Sequence, residues 1–168
     1  VAVMTGPGTG PHPLWPTSTW DAIRLEMAAA MEVLGVDEVR FENLPAAPLA
    51  ALPVHEVNAA VAAVIDAVGP TELYLPYLHD LHHDHRALAY AGVVAARPYL
   101  ERGRRIRLVA MYETPTETNL FPPALQPAFA PNHWIDVTDT LEVKLQAWSC
   151  YESQHLEGAT PRSMESLR

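Results

Sequence analysis

The sequence predicts an α/β fold of Rossmann-like type, with a mostly parallel sheet covered by helices on both faces. Short apolar runs alternate along the chain with amphipathic stretches of about 15 residues, a pattern typical of βαβ units. The chain has 168 residues, of which 49% are apolar and 18% charged, which suits one domain with a sizeable core. No internal repeat or linker is visible, so we expect a single α/β domain over residues 1–168.

Five short apolar runs predict the strands, because each is bounded by Gly, Pro or polar residues. They are the segments 1–5, 39–41, 72–75, 105–112 and 134–137. In open α/β sheets, ligands bind beyond the carboxyl ends of the strands. The loops expected at that edge are residues 6–16, 76–85 and 113–131, so the sequence predicts a site there.

The intervening stretches have helical spacing. The first helix is expected to be capped by Ser18 and ended by Gly35, whose flexible backbone suits a helix terminus. The second is the clearest, because the valines and the isoleucine between positions 54 and 68 form one apolar stripe. A polar, histidine-rich loop and a third helix together run to about Pro98, and a fourth helix begins after Thr138 or Thr140.

Composition argues against several function classes. The net charge is −9 and the only short run of cationic residues lies at 102–105, so no nucleic-acid partner is expected. No apolar stretch reaches about 18 residues, so no transmembrane segment is expected either. The single cysteine, Cys150, excludes an internal disulfide framework and fits a reducing compartment, which predicts a cytoplasmic protein.

Four of the eight histidines fall in one short segment, His79-Asp80-Leu81-His82-His83-Asp84-His85-Arg86. One interpretation is a solvated polar loop. The other is a metal site, because imidazoles mixed with carboxylates suit zinc. If a helix begins near His82, then His82 and His85 share a face, so one could ligate a metal while the other donates a proton or stabilises an oxyanion. Asp80 and Asp84 could hold the imidazoles by their second nitrogen, and His83 is expected in solvent.

The pattern Asp80-x-His82-x-Asp84-His85-Arg86 resembles the second signature of the PIG-L/LmbE-like N-deacetylases, the family of N-acetylglucosaminyl-phosphatidylinositol de-N-acetylase. His83 stands where that signature usually has proline. Residues 26–35 are similar to the family's first long helix, and segments 129–132, 135–137, 141–144 and 151–154 resemble the C-terminal part of its bacterial sugar-modifying members. The resemblance implies zinc-dependent hydrolysis of the N-acetyl group of an N-acetylglucosamine-type conjugate, releasing acetate and a free amino sugar.

The resemblance also implies roles for single residues. His85 would ligate zinc, and His82 would act as general acid and oxyanion stabiliser. Asp84 would orient His82 or tune its pKa, and Asp80 would support the site by holding an imidazole through its second nitrogen. Arg86 would brace the loop rather than contact substrate.

The family's first signature, H-P-D-D-E, supplies a His and an Asp as zinc ligands and another Asp as general base. Residues 11–15 resemble it only superficially, because they lack both carboxylates. Residues 1–5 align better with the family's second strand, and residues 161–165 resemble the entry to a helix that family members complete. We therefore expect H-P-D-D-E to lie before Val1 and the chain to be truncated at both ends.

Four further residues are candidates for contacts with an N-acetylated sugar or glycoconjugate. Trp15 could stack on a sugar ring, and Arg24 lies near the helix start where the family often has an arginine. Glu113 and Asn119 follow the fourth strand on the ligand-binding side, where they could select the acceptor.

Two other functions stay open. The missing first signature favours a catalytically incomplete fragment or a module that binds a sugar or partner without hydrolysis. A metal-dependent hydrolase of another bond, such as a phosphoester, would need a second carboxylate-rich metal motif, which the sequence does not show.

Overall fold

A computed structural model describes residues 1–120, 122, 124–156 and 160–167 of the chain. Strands and helices alternate along the described residues, and the helices predicted around positions 18–34 and 83–98 and after Thr138 are all present. In chain order the elements are β1 (Ala2–Gly6), α1 (Thr17–Val33), β2 (Arg40–Pro45), α2 (Val54–Val68), β3 (Glu72–Pro76), α3 (His83–Ala95), β4 (Leu108–Tyr112) and α4 (Leu141–Ser149). Short 3-10 helices lie at Pro48–Ala51, Gly103–Arg105, Thr138–Thr140 and Glu152–Gln154.

The strands form two parallel pairs. β1 pairs with β2, and β3 pairs with β4 in unbroken register from Glu72 opposite Leu108 to Pro76 opposite Tyr112. Parallel strands joined through helices confirm the predicted α/β class. Two compact units contain these pairs, one made of Val1–Pro45 and Trp134–Arg168 and the other of Ala46–His133. The single domain expected over residues 1–168 stays a prediction.

In the first unit, the strand pair contains a bulge at Asn43. The register shifts between Val3 and Thr5, and Asn43 has a φ of 55°. Asparagine tolerates this left-handed conformation better than most residues, which explains its presence at the bulge. Its side-chain amide donates to the carbonyl of Gly8 at 3.0 Å and so attaches the loop that follows β1.

The first helix differs from the prediction at its start and agrees with it at its end. α1 begins directly after the extended Pro16, so Ser18 lies inside the first turn and does not cap it. Gly35 has a φ of 65°. Its N–H donates to the carbonyl of Glu32, and the N–H of Val36 donates to the carbonyl of Met31. These two bonds form a Schellman motif, which satisfies carbonyls that the helix end leaves without partners.

In the second unit, α2 spans the predicted residues and buries the centre of the predicted stripe, while Val54 and Val68 at its ends stay exposed. α3 packs against α2 and β3. Gly92 allows the close approach to the sheet, because a Cβ there would lie 2.5 Å from a side-chain carbon of Leu75. This packing fixes the start of α3 next to the carboxyl end of β3, where the histidine-rich segment lies.

Three sequence predictions about strands are wrong. The second strand, expected over residues 39–41, spans Arg40–Pro45. The fourth strand begins at Leu108, because the preceding residues form the 3-10 helix Gly103–Arg105. Residues 134–137 form no strand, and Trp134 is 74% exposed. Asp136 accepts hydrogen bonds from both the N–H and the hydroxyl of Thr138, at 3.0 and 2.6 Å, and this local turn competes with extended structure. Among the described residues, no helix is both long and apolar enough to span a bilayer.

Candidate functional site

Asp80, the second residue of the histidine-rich segment, is fully buried. Its Oδ2 accepts a hydrogen bond from the hydroxyl of Thr118 at 3.2 Å, and its Oδ1 accepts a long one from the N–H of His82 at 3.4 Å. Oδ2 also lies 3.2 Å from Nδ1 of His85. Because Thr118 belongs to the segment after β4, this carboxylate joins the loops at the carboxyl ends of both β3 and β4.

His82 is the N-cap of α3. Its ring Nδ1 accepts a hydrogen bond from the N–H of Asp84 at 3.2 Å, which satisfies one of the free donors at the helix start. An imidazole that accepts at Nδ1 carries its proton at Nε2 when neutral. We therefore assign the Nε2–H tautomer to His82, with a donor on the outer edge of the ring.

His85 has the opposite arrangement. Its Nδ1 faces the Asp80 carboxylate at ion-pair distance, although without the alignment of a good hydrogen bond. A carboxylate beside Nδ1 favours a proton on that nitrogen and leaves the Nε2 lone pair available to a metal. The rings of His82 and His85 are stacked, with centroids 4.8 Å apart and an angle of 24° between their planes. The pair thus combines an N–H group on His82, which can donate a hydrogen bond, with a nitrogen lone pair on His85, which can bind a metal.

Asp84 is buried in the first turn of α3, where a carboxylate suits the helix dipole. Its Oδ2 accepts a hydrogen bond from the N–H of Ala47 at 2.6 Å, while its Oδ1 has no hydrogen-bond partner among the described residues. Ala47 has a φ of 65°, so this bond supports a strained turn. Asp84 contacts His82 through its backbone N–H, and the role expected for its carboxylate stays a prediction.

Arg86 connects the loop to the rest of the unit. Its Nε donates to the carbonyl oxygen of Asp80, and its Nη2 donates to Oε1 of Gln126 at 3.2 Å. The first bond holds the backbone at Asp80, and the second connects Arg86 to the segment after β4. The bracing role expected for Arg86 stays a prediction.

The end of β4 and the segment after it carry two of the predicted residues and two that the sequence did not single out. Asn119 donates to Glu113 at 3.5 Å, and both are exposed. Thr118, which contacts Asp80, is buried and also accepts the N–H of Thr114 at 2.7 Å. At the end of β4, burial and then the Asp80 carboxylate raise the pKa of Tyr112 above its usual range. No sequence signal marks Thr118 or Tyr112, because their relation to Asp80 depends on the paired strands.

Trp15 and Arg24 lie in the other unit. Trp15 is 44% exposed and stacks on His12, with ring centroids 5.1 Å apart. Arg24 donates to Oδ1 of Asn43 at 3.1 Å, and its guanidinium lies 5.6 Å from the ring centroid of Phe41. Their predicted contacts with substrate, and the predicted meeting of residues 6–16 with the histidine-rich segment, stay predictions.

Comparison with known proteins places this geometry in a family. Residues 4–96, more than half of the chain, match the PIG-L family model, described as GlcNAc-PI de-N-acetylase. The chain belongs to the PIG-L family. The match runs from β1 to the end of α3 and so includes the whole histidine-rich segment, which confirms the family resemblance seen in the sequence.

Two solved structures share the fold with this PIG-L chain. The conserved protein TT1542 from Thermus thermophilus is 21% identical with a TM-score of 0.71, over 99% of this chain and 70% of that one. The N,N'-diacetylchitobiose deacetylase from Pyrococcus horikoshii, complexed with its inhibitor MPG, is 20% identical with a TM-score of 0.65. That match covers 93% of this chain and 59% of the deacetylase, so the chain spans less than two thirds of its length. No curated protein matches the chain.

PIG-L proteins are generally metal-dependent, and zinc is held by imidazole, thiolate and carboxylate side chains. His85 fits one ligand position, since its Nε2 lone pair faces away from the Asp80 carboxylate that contacts its other nitrogen. A catalytic zinc site takes three protein ligands. Within the described ranges, no group of three or more His, Cys, Asp and Glu side chains could hold a metal. The described residues therefore do not form a complete zinc site by themselves, and the ligand role of His85 stays a prediction.

Proposed function

We propose that this chain carries the second half of the active site of a zinc-dependent N-deacetylase. Its substrate would be an N-acetylglucosamine-type sugar conjugate, hydrolysed at the amide to acetate and a free amino sugar. The match to the PIG-L family and the likeness in fold to a chitobiose deacetylase support the substrate class. The stacked pair of His82 and His85, with a donor on one ring and a lone pair on the other, is the observation that carries the proposal.

Amide hydrolysis needs a proton for the departing amine and a counter-charge for the tetrahedral oxyanion. His82 has an Nε2–H for either task, and its ring is held in place by the N–H of Asp84. The N-cap position also places His82 at the positive end of the α3 dipole, which favours negative charge beside it.

His85 would be the metal ligand of this half-site. The Asp80 carboxylate sets the tautomer of His85 through its contact with Nδ1. Thr118 in turn donates to the Asp80 side chain, and Arg86 donates to the Asp80 backbone carbonyl. Zinc, when bound, polarises a carbonyl and lowers the pKa of a bound water to about 7. We assign no general base among the described residues; the H-P-D-D-E segment implied by the family resemblance would supply it.

A second candidate is a module that binds an acetylated sugar without hydrolysing it. The observation in its favour is that the described residues contain no three-ligand group for a metal. The two functions differ in one property, because only the enzyme releases acetate.

The test uses a form of the protein that carries the H-P-D-D-E segment, supplied with zinc and N,N'-diacetylchitobiose, and measures free acetate and primary amine. The proposal expects release from the wild type and from His55→Ala, which alters an exposed histidine in the first turn of α2. His85→Ala should release none. Sugar binding without acetate from the wild type would instead support the binding module.

A further inference from the structure

A tight turn after β4 places Glu113 and Asn119 next to residues that contact the candidate site. The hydroxyl of Thr118 accepts the N–H of Thr114 at 2.7 Å, and the N–H of Thr118 donates to the carbonyl of Thr114 at 2.8 Å. The same hydroxyl donates to Oδ2 of Asp80 at 3.2 Å. Because Glu113 and Asn119 flank this anchored turn, their exposed side chains lie at the edge of the proposed half-site.

These two side chains have hydrogen-bonding capacity to spare. Nδ2 of Asn119 lies 3.5 Å from Oε2 of Glu113, which is a long hydrogen bond. Among the described residues, neither side chain forms any other hydrogen bond. A carboxylate accepts hydrogen bonds from hydroxyls, and an amide both donates and accepts them, so the pair suits the hydroxyl groups of a sugar.

Charge is divided between the two edges of the second unit. Residues 46–133 contain no lysine, and their arginines other than Arg86 lie between the end of α3 and the start of β4. These are Arg97, Arg102, Arg104, Arg105 and Arg107. The segments that follow β3 and β4, residues 77–82 and 113–131, contain carboxylates but no Lys or Arg. The carboxyl ends of these strands, where the candidate site lies, are therefore the acidic edge of the unit.

Arg86 does not reverse the charge of this edge. Its guanidinium donates to the carbonyl of Asp80 and to Gln126, so it is engaged with the protein. The carboxylates that outnumber it here are those of Asp80, Asp84, Glu113 and Glu117. An anion that approaches the exposed Glu113 meets a charge of its own sign, which acts over about 8 Å at physiological salt.

We propose that Glu113 makes the candidate active site select an uncharged sugar conjugate over one that carries phosphate beside the acetylated sugar. The inference rests on the proposed deacetylase function and deepens it by naming the substrate class. Hydroxyl groups next to the reacting sugar hydrogen-bond to Glu113 and Asn119. A phosphate in the same place is repelled by Glu113, and the segments after β3 and β4 offer it no Lys or Arg.

The test compares two substrates that share one sugar ring and differ in charge, in a form of the protein that carries the H-P-D-D-E segment and is supplied with zinc. One is the methyl α-glycoside of N-acetylglucosamine. The other is N-acetyl-α-glucosamine 1-phosphate, which carries about two negative charges at neutral pH. Acetate release gives kcat/KM for each substrate. The wild type should prefer the methyl glycoside by about 10-fold or more at low salt.

Salt and a matched pair of variants identify the cause of this preference. It should shrink as sodium chloride rises from about 0.02 M to about 0.5 M, because salt screens exposed charges. Glu113→Gln keeps the size of the side chain and removes its charge, so it should lower the preference about 3-fold or more, through a lower KM for the phosphate. Glu101→Gln makes the same change near the start of β4, where the side chain is 90% exposed, and should leave the preference unchanged.

Several outcomes would overturn the inference and leave the deacetylase proposal in place. They are equal kcat/KM for the two substrates, a preference for the phosphate, and an unchanged preference in Glu113→Gln. Acetate from N,N'-diacetylchitobiose but from neither test substrate would also overturn it, because selection would then depend on a second ring. If Glu113→Gln fails to fold, a wild-type preference that does not change with salt decides against the inference. If the wild type releases acetate from none of the three sugars, the deacetylase proposal fails and the inference fails with it.

Discussion

Nδ1 of His85 lies 3.2 Å from Oδ2 of Asp80, a carboxylate with no exposure to solvent. The same oxygen accepts the hydroxyl of Thr118. A single buried carboxylate therefore fixes the imidazole proposed as metal ligand and ties it to the loop after β4.

Asp80→Asn should weaken zinc binding in a form of the protein that carries the H-P-D-D-E segment. The amide keeps the size of the side chain but loses the charge that favours a proton on Nδ1 of His85. Loss of such a supporting partner typically lowers metal affinity about 10–100-fold. Competition with a chromogenic chelator measures the affinity. A zinc affinity equal to that of the wild type would show that Asp80 does not set the His85 tautomer.

Thr118→Val should lower the free energy of unfolding by about 1–3 kcal/mol, because it leaves the Thr114 N–H without its partner and removes the hydrogen bond to Oδ2 of the buried Asp80. Urea denaturation followed by circular dichroism gives the difference. Thr71→Val, at an exposed position of the same unit, serves as the control and should change stability little. If the two changes affect stability equally, the hydrogen bonds of Thr118 with Asp80 and Thr114 do not stabilise the fold.

Tyr112 should titrate above the ordinary tyrosine range. Tyr112 is 50% exposed, but the partial burial of its side chain and then the nearby Asp80 carboxylate favour its neutral form in the folded protein and so raise its pKa. The folded state then holds this proton more tightly than the unfolded state, so its contribution to stability is complete below about pH 10 and is lost as the pH rises further.

Absorbance at 295 nm between pH 9 and the alkaline unfolding limit measures the titration. Tyr74 and Tyr151 also have raised pKa values, so the late part of the wild-type curve should become smaller, without disappearing, in Tyr112→Phe. It should stay unchanged in Tyr99→Phe, which removes an exposed tyrosine. In Asp80→Asn it should move towards lower pH. If Tyr112→Phe removes an early part of the curve instead, the electrostatic relation between Tyr112 and Asp80 is wrong.

Gly103→Ala should destabilise the second unit. A Cβ at this position would lie 2.1 Å from the carbonyl oxygen of Arg97, and the backbone there has no flexible side chain to move aside. Overpacking of this kind costs about 1–3 kcal/mol or more. Gly10→Ala is the matched control, since its Cβ would meet no atom within 4 Å. Equal unfolding midpoints for the two variants would show that the tight turn at Gly103 is not required.

Local patterns in the sequence predicted the elements that depend on local physics. The stripe of valines placed α2 at its observed limits, and Gly35 ended α1 through a left-handed conformation. The histidine spacing placed His82 and His85 on one face because a helix does begin at that point. These features need only neighbours within a turn or two of the chain.

The features that the sequence did not predict depend on contacts between residues that are far apart in the chain. Thr118 meets Asp80 across 38 positions, and Asp84 meets Ala47 across 37, so no spacing rule predicts either bond. Residues 134–137 have strand-like composition, but a strand also needs a paired neighbour, and the turn at Asp136 forms instead.

The division of labour between His82 and His85 is the central claim. Zinc content and acetate release, measured on the same preparations of His82→Ala and His85→Ala in a form that carries the H-P-D-D-E segment, test it most directly. His85→Ala should lose zinc and activity together, because it removes a ligand. His82→Ala should keep its zinc and lose turnover by about 10²–10⁴-fold, the usual scale for a general acid. If His82→Ala lost zinc as completely as His85→Ala, both residues would be ligands and the assigned roles would be wrong.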